Sequence, residues 1–374
     1  MIPFNRPYCV GIEAELIATA FANRSISGDG PFGKKAQTQL EKQLGVKKVL
    51  LTTSCTHALE MAAILLDLQP GDEVIVPSYT FVSTALAFVM HGAKPVFADI
   101  RSDTLNIDET KLEPLITHRT RAIVVLHYAG VGCEMDTIID IAKRHRLIVI
   151  EDNAHGLYGK YKGKYLGSFG TFATQSFHET KNITCGEGGA LFINEPSYIE
   201  RAEIIREKGT NRSRFFRGEI DKYTWVDKGS SYVLSDILAA FLHAQLNEAD
   251  KIQIKRKTIW NYYYEHLKDW AIANDVRLPI IPEHCEQAYH MFYLLMPSLE
   301  TRTHFIKYLK ENEIVAVFHY LPLHKSDMGY KLGGEQSYCP VTENVSDRLV
   351  RLPFFNEMSE EELTTIVTKI VNKN

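Results

Sequence analysis

The segment SFHETKNITCGEGGA (176–190) places Lys181 just after a strand-like run and five residues ahead of a GEGG turn. A lone lysine is most often a solvated surface charge. A lysine at a strand end, partly desolvated and close to a cationic ring, has a lowered pKa and can attack an aldehyde. The glycines behind it allow close backbone approach or positive φ. EDNAHG (151–156) sets Asp152 at the end of an apolar run, where an unpaired carboxylate is costly. On its own such an aspartate is more often a cap. Twenty-nine residues before a lysine of this kind it has another use, pairing with a pyridinium N–H to keep the ring an electron sink. His155 then stands near enough to meet the ring's phenolic oxygen or its flat face.

TTSCTHALEMAA (52–63) reads as a strand-to-helix turn of small residues around Cys55 and Thr56. Alone it would be a plain N-cap. With a phosphate-bearing ring nearby, the free N–H groups of that first turn are a seat for the phosphate, and Ser176 offers a second hydroxyl. PSYTFVSTA (77–85) supplies Phe81, either a core ring or one stacked on a cofactor. Each signal is weak singly. Together they provide a lysine, an acid, a phosphate cup and a stacking ring at strand ends of one domain.

The elements that must carry them are legible. Apolar runs at 49–53, 73–78, 95–100, 122–128, 147–152, 171–177 and 189–194 alternate with segments at 56–68, 81–92 and 135–146 whose apolar residues recur three and four apart. That alternation predicts a mostly parallel seven-stranded sheet covered on both faces, with chemistry at the strands' carboxyl ends. The pattern then changes. Residues 235–270 read as nearly continuous helix, followed by strands at 289–296 and 314–321 around a helix at 301–313. A final helix at 359–373 opens on a Ser359–Glu362 capping box. The expectation is a large domain over 1–245 and a small α+β domain over 246–374.

The 374 residues carry a net charge of −4, with 45% hydrophobic and 24% charged residues. No basic block suggests a nucleic-acid partner, no apolar run suggests a membrane span, and the start lacks a signal-peptide pattern. Six scattered cysteines without a CxxC pair suit reduced cytosolic thiols better than disulfides or a metal site. A dehydrogenase would need GxGxxG after the first strand, and SCTHAL stands there instead.

SFHETK with GEGG, EDNAHG, SCTHALEMAA, PSYTFVSTA and GSSYVLSDILAA (229–240) resemble the DegT/DnrJ/EryC1/StrS family of sugar aminotransferases, through nearly the whole chain. The resemblance implies the aspartate-aminotransferase fold (fold type I) and pyridoxal 5′-phosphate. It makes Lys181 the Schiff-base lysine and proton shuttle, Asp152 the partner of the ring nitrogen and Phe81 the stacking ring. Ser176 and the Cys55–Thr56 turn become phosphate contacts. Family members commonly complete the phosphate site with an asparagine of the neighbouring subunit, which implies a homodimer with its active site at the interface. Ser231 stands at that position here, Cys55 replaces a usual glycine, and His155 replaces a frequent glutamine. A branch with histidine in place of the lysine dehydrates, so Lys181 points to transamination.

The implied substrates are a nucleotide-linked keto-sugar and glutamate, leaving as an amino-sugar and 2-oxoglutarate. A diphosphate calls for cations, and KGTNRSRFFRG (208–218) offers Arg212 and Arg217. The loop is equally readable as a solvated basic surface. FHYLPLH (318–324) could bring Tyr320 and His324 to the sugar.

Overall fold

The computed structural model describes residues 1–373. Two helices, α1 (Glu13–Ala22) and α2 (Pro31–Leu44), precede the first strand; α2 starts with proline in its first turn and stops at Gly45, whose left-handed φ of 71° favours glycine. An alternating stretch follows: β1 (Lys48–Thr52), α3 (Cys55–Leu65), β2 (Glu73–Pro77), α4 (Ser83–Met90), β3 (Lys94–Ala98), β4 (Thr120–Leu126), α5 (Met135–His145) and β5 (Ile148–Asp152). A small hairpin of β6 (Lys160–Tyr161) and β7 (Lys164–Tyr165) leads to β8 (Phe172–Ser176) and β9 (Gly189–Ile193).

Seven of these strands form one sheet in the order β1-β9-β8-β5-β4-β2-β3, at the seven places the apolar runs indicate. Pairs from β8 through β3 are parallel; β9 runs antiparallel to both of its neighbours. The strands are apolar on both faces because both are covered. Leu50, Val74, Val76, Ile150 and Leu191 pack on one side with α3 and α4; Val49, Leu51, Ala173 and Phe192 pack on the other with α2. Strands β4, β5 and β8 end side by side, with Leu126 opposite Asp152 and Asp152 opposite Thr174.

After β9 come α6 (Ile199–Arg206), α7 (Arg212–Phe216), α8 (Asp236–Asn247) and α9 (Ala249–Ala273). The long helix expected over 235–270 is therefore two, broken at Glu248, whose backbone (φ −107°, ψ 15°) leaves the helical range without a glycine or proline to announce it. The remaining elements are β10 (Cys285–Glu286), β11 (Tyr293–Leu295), α10 (Leu299–Glu311), α11 (Asp327–Lys331), α12 (Pro340–Arg348), β12 (Leu349–Arg351) and α13 (Glu360–Val371). The Ser359–Glu362 box caps α13 as the sequence indicates. Of the run at 289–296 only β11 is strand, and Tyr289 before it takes φ 52°. The run at 314–321 makes isolated bridges only, Ile314 to Ile2 and Val317 to Arg351. The strand that pairs with β11 is β12, only three residues long and too short to show a period. A separate apolar core links α9, α10 and α13 through Tyr263, Phe292, Phe305 and Ile366. Among the described residues no helix is long and apolar enough to cross a membrane.

Candidate active site

A cavity of about 690 Å³ opens where β5 and β8 end and α3 and α4 begin, and it meets the segments around His290, Tyr320 and Arg351. Lys181 sits in a turn beyond β8, its N–H donating to the carbonyl of His178 at 2.9 Å. Burial pushes its amine down to about 8, against the opposing pull of the Cys55 thiol and the Asp152 carboxylate. A neutral amine at the end of a sheet is a nucleophile and a proton acceptor.

Asp152 closes β5 on the neighbouring strand. Its Oδ2 accepts from the Thr84 hydroxyl at 2.7 Å and its Oδ1 from the Ala154 N–H at 3.2 Å, while burial raises its pKa. Thr84 lies in the first turn of α4 and is itself 2.7 Å from the Thr80 hydroxyl. Sequence reasoning takes only Phe81 from that segment; the hydroxyls of PSYTFVSTA are the sign that would have marked Thr84.

Ser54 caps α3, its hydroxyl accepting from the His57 N–H at 3.1 Å. The first bond of α3 joins the Ala58 N–H to the Ser54 carbonyl, so the N–H groups of Cys55 and Thr56 precede the helical ladder. The hydroxyl of Thr56 reaches Ser83 at 2.9 Å. Behind this turn runs Gly189 at the start of β9. A Cβ there would lie 2.3 Å from Ser54 C and 2.4 Å from Cys55 N, so only glycine lets the strand back onto the turn. Ser176, nearly buried, lines the same wall.

Phe81 stands at the mouth, 56% exposed, its ring 6.4 Å from that of Tyr320. His155 is buried, stacks on His290 at 4.3 Å and has its Nε2 3.3 Å from the Tyr320 hydroxyl. Burial holds both imidazoles well below their usual pKa, hence neutral. His290 Nδ1 lies 2.9 Å from Asn182 Oδ1, which ties the residue after Lys181 to the segment before β11. His319 lines the wall as well, with Nδ1 2.9 Å from the Tyr128 hydroxyl. His290, His319 and Arg351 carry no local signature in the sequence; they reach the cavity through long-range packing.

Three expected contacts lie elsewhere, and Ser231, expected to serve the neighbouring subunit's phosphate site, lies beside two of them. Ser231, Arg212 and Arg217 line a second basin of about 710 Å³. There Arg217 is held by Glu203 at 2.7 Å and Glu219 at 2.6 Å, and Arg212 lies 3.7 Å from Glu207 with its guanidinium over the Phe216 ring. The reason is a local ring of acids, Glu203 on α6, Glu207 just after it and Glu219 after α7, that meets Arg212 and Arg217 within the chain. His324 is buried away from the cavity, its Nδ1 2.6 Å from the Ser78 hydroxyl and its Nε2 3.2 Å from Glu343. Both ring nitrogens are thereby committed. Pro322 and the 3₁₀ turn Leu323–Lys325 that contains His324 direct it away from Tyr320, which does line the cavity.

Two unmet groups say what the site suits. Asp152 is a buried carboxylate with no ion-pair partner among the described residues, and the Nδ1 of His155 is buried without a partner. A pyridinium N–H, a phenolic oxygen and a phosphate on the α3 turn would meet that chemistry, and Lys181 is the amine to hold an aldehyde. The residues fit pyridoxal phosphate.

Comparison with known proteins agrees. The family model of the DegT/DnrJ/EryC1/StrS aminotransferases matches residues 12–371. An uncharacterized protein of Methanocaldococcus jannaschii is 35% identical, over 92% of this chain and 91% of its own. The spore coat polysaccharide biosynthesis protein SpsC of Bacillus subtilis is 30% identical, over 99% and 96%. Among solved structures, Spr1654 of Streptococcus pneumoniae in its PLP form superposes with a TM-score of 0.90 at 26% identity, covering 99% of this chain and 97% of that one. PseC of Helicobacter pylori, an aminotransferase involved in the biosynthesis of pseudoaminic acid, gives 0.90 at 25% identity, over 99% and 98%.

Proposed function

The chain belongs to the DegT/DnrJ/EryC1/StrS aminotransferase family and its cofactor is pyridoxal 5′-phosphate; on that premise we propose that it aminates a nucleotide-linked 4-keto-6-deoxyhexose. The substrate of this reading is dTDP-4-dehydro-6-deoxy-D-glucose, with L-glutamate as donor. The products are dTDP-4-amino-4,6-dideoxy-D-galactose and 2-oxoglutarate, made in the cytosol for cell-surface polysaccharide. Support for the finer substrate comes from MIPFNRP, LQPGDEVIVPSYTFVSTA, NIDET, FHETKN and REKGTNRSRFFRG, which resemble the dTDP-4-amino-4,6-dideoxygalactose transaminase of enterobacterial common antigen synthesis.

The observation that carries the reading is a desolvated Lys181 amine sharing one cavity with the Asp152 carboxylate, which has hydrogen bonds but no ion-pair partner among the described residues. When bound, the cofactor supplies an electron-withdrawing ring that takes up the amino group and acidifies the adjacent C–H. Lys181 Nζ takes the α-proton of glutamate and, in the second half, returns a proton to C4 of the sugar. An amine poised near working pH serves as base and then as acid. Asp152, oriented by Thr84, holds the ring nitrogen protonated. The Ser54–Thr56 turn and Ser176 hold the phosphate, Phe81 covers one ring face, and His155 meets the phenolic oxygen. Tyr320 reaches the sugar.

Two copies complete the site in this reading. The basin with Ser231 and Arg212 faces the partner's Lys181 cavity, bringing a hydroxyl to its phosphate and a cation to the nucleotide diphosphate. Exposed apolar residues at the cavity's edge, Phe81 and Val82, and along α4, Leu86 and Met90, suit burial against a second copy.

Purified protein should be yellow, and borohydride should bleach the colour while tagging Lys181. Incubation with dTDP-4-keto-6-deoxyglucose and glutamate, followed by NMR of the product, tests the substrate. An equatorial amine at C4 would shift the product to the gluco epimer, an amine at C3 would move the reacting carbon, and no amino-sugar at all would defeat the acceptor.

A further inference from the structure

His155 stands where glutamine is frequent among the sequences this chain resembles, and the exchange creates a question that glutamine does not pose. A glutamine amide always carries N–H. A neutral imidazole carries one proton on either of two nitrogens, and the bond made by one nitrogen decides the state of the other. Burial, with Lys181 and Arg351 adding to it, keeps the His155 ring neutral. Its Nδ1 is buried without a partner, and its Nε2 lies 3.3 Å from the Tyr320 hydroxyl.

The other groups that face the ring are committed elsewhere. His290 stacks on it at 4.3 Å, yet its own Nδ1 donates to Asn182 Oδ1 at 2.9 Å. That amide is oriented by its Nδ2, which donates to the Ala288 carbonyl at 2.6 Å. His319, with its ring 6.0 Å away, has its Nδ1 2.9 Å from the hydroxyl of Tyr128, which meets His155 edge-on. Among the described residues Tyr320 is the one side chain within hydrogen-bond reach of either His155 nitrogen. It is also set to donate. Burial raises its phenol against the pull of Arg351, so the proton stays on the oxygen. A guanidinium has donors and no acceptor, so Arg351 suits the phenol's lone pairs and leaves its proton for the imidazole.

We infer that Tyr320 is a positioning residue whose hydroxyl donates to Nε2 of His155 and so fixes the tautomer that carries its proton on Nδ1. The cofactor consequence rests on the reading above that His155 meets the phenolic oxygen. A hydrogen bond donated there draws negative charge off that oxygen and weakens its hold on the proton shared with Lys181 Nζ. The yellow colour is then lost at a lower pH than it would be without the bond.

Two measurements keep the inference and that reading apart. In apoprotein with isotope-labelled histidine, the ring resonances missing from His155→Gln identify His155, and nitrogen NMR reports which atom is protonated. Wild type should show Nδ1–H, and Tyr320→Phe should weaken that preference about tenfold. A wild-type ring protonated on Nε2, or a preference unchanged in Tyr320→Phe, would overturn the inference. In holoenzyme, the pH midpoint of the visible band should rise about one unit in Tyr320→Phe while His155 is present. With His155→Gln already in place, the same change should move it less than about 0.3 unit, because the amide needs no neighbour to set its N–H. Equal rises in both backgrounds would mean that Tyr320 acts without His155, and would overturn the inference. If the apoprotein tautomer responds and the midpoint moves in neither background, the inference stands and the placement of His155 on the phenolic oxygen fails.

Discussion

The Lys181 cavity and the Ser231 basin are nearly equal in size, about 690 and 710 Å³, yet they handle charge in opposite ways. In the basin most cations are already answered: Arg217 by two glutamates, Arg206 by Asp29, Lys208 by Glu207. In the cavity Asp152 has hydrogen bonds but no counter-ion among the described residues, and the Nε of Arg351 and the Nδ1 of His155 are buried without a partner. Exposed pairs of the first kind contribute little to stability. Groups of the second kind are costly to keep and mark where ligands supply the missing partners. Charge count therefore misleads in reading the sequence, and charge pairing separates the two regions.

The comparison breaks first at Lys181. Lys181→Ala should lower turnover at least about 10⁴-fold, the loss of both proton transfers at once. Circular dichroism should stay near wild type, since the substitution removes an amine that no side-chain hydrogen bond holds, while the covalent tether to the cofactor and its borohydride tag are lost. Full activity in that variant would move the base elsewhere. Asp152→Asn comes next, with an expected drop of about 10²–10³-fold, because a preorganised charge opposite the ring nitrogen is lost while shape is kept. Its cofactor should titrate at lower pH in the visible spectrum, the sign that the ring nitrogen has lost its anion.

Much of this was legible in the sequence because it is local. The seven apolar runs are seven strands of one sheet, and Lys181, Asp152, Ser176 and Cys55–Thr56 stand beside strand ends that the runs themselves locate. What was not legible arrives from far away. Arg351 is on β12, whose three residues show no period, and it reaches the cavity only through pairing with β11. His290 comes through a segment that Tyr289 turns with φ 52°. His324 shows the converse failure. It is four residues from Tyr320 in sequence, but a proline and a 3₁₀ turn aim it at Ser78.

A smaller effect follows from the Lys181 amine, held near 8 by burial. Below that pH the amine is protonated and cannot attack; above it the neutral form saturates. Capture of pyridoxal phosphate by the apoprotein, timed by the growth of visible absorbance, should speed up about tenfold per pH unit below 8 and level off above it. A rate still climbing about tenfold per unit through pH 9 would mean that the amine keeps its ordinary pKa and is not desolvated, and the contrast with the basin would lose its main support.

The smallest effects test the basin itself. Arg212 has one loose partner, Glu207 at 3.7 Å, while Arg217 is fixed by Glu203 and Glu219. If a partner subunit's diphosphate meets this basin, the cation free to turn toward it is Arg212. Arg212→Ala should then raise the KM for the nucleotide sugar about tenfold with kcat little changed, the pattern of lost uniform binding. Arg217→Ala should change it less than about twofold, since its guanidinium answers two carboxylates already. The donor KM should move in neither variant, because glutamate binds without reaching the basin. Equal effects from both arginines would show that pairing within one chain does not decide which cations a ligand meets, and the distinction between the two regions would fail at its weaker end.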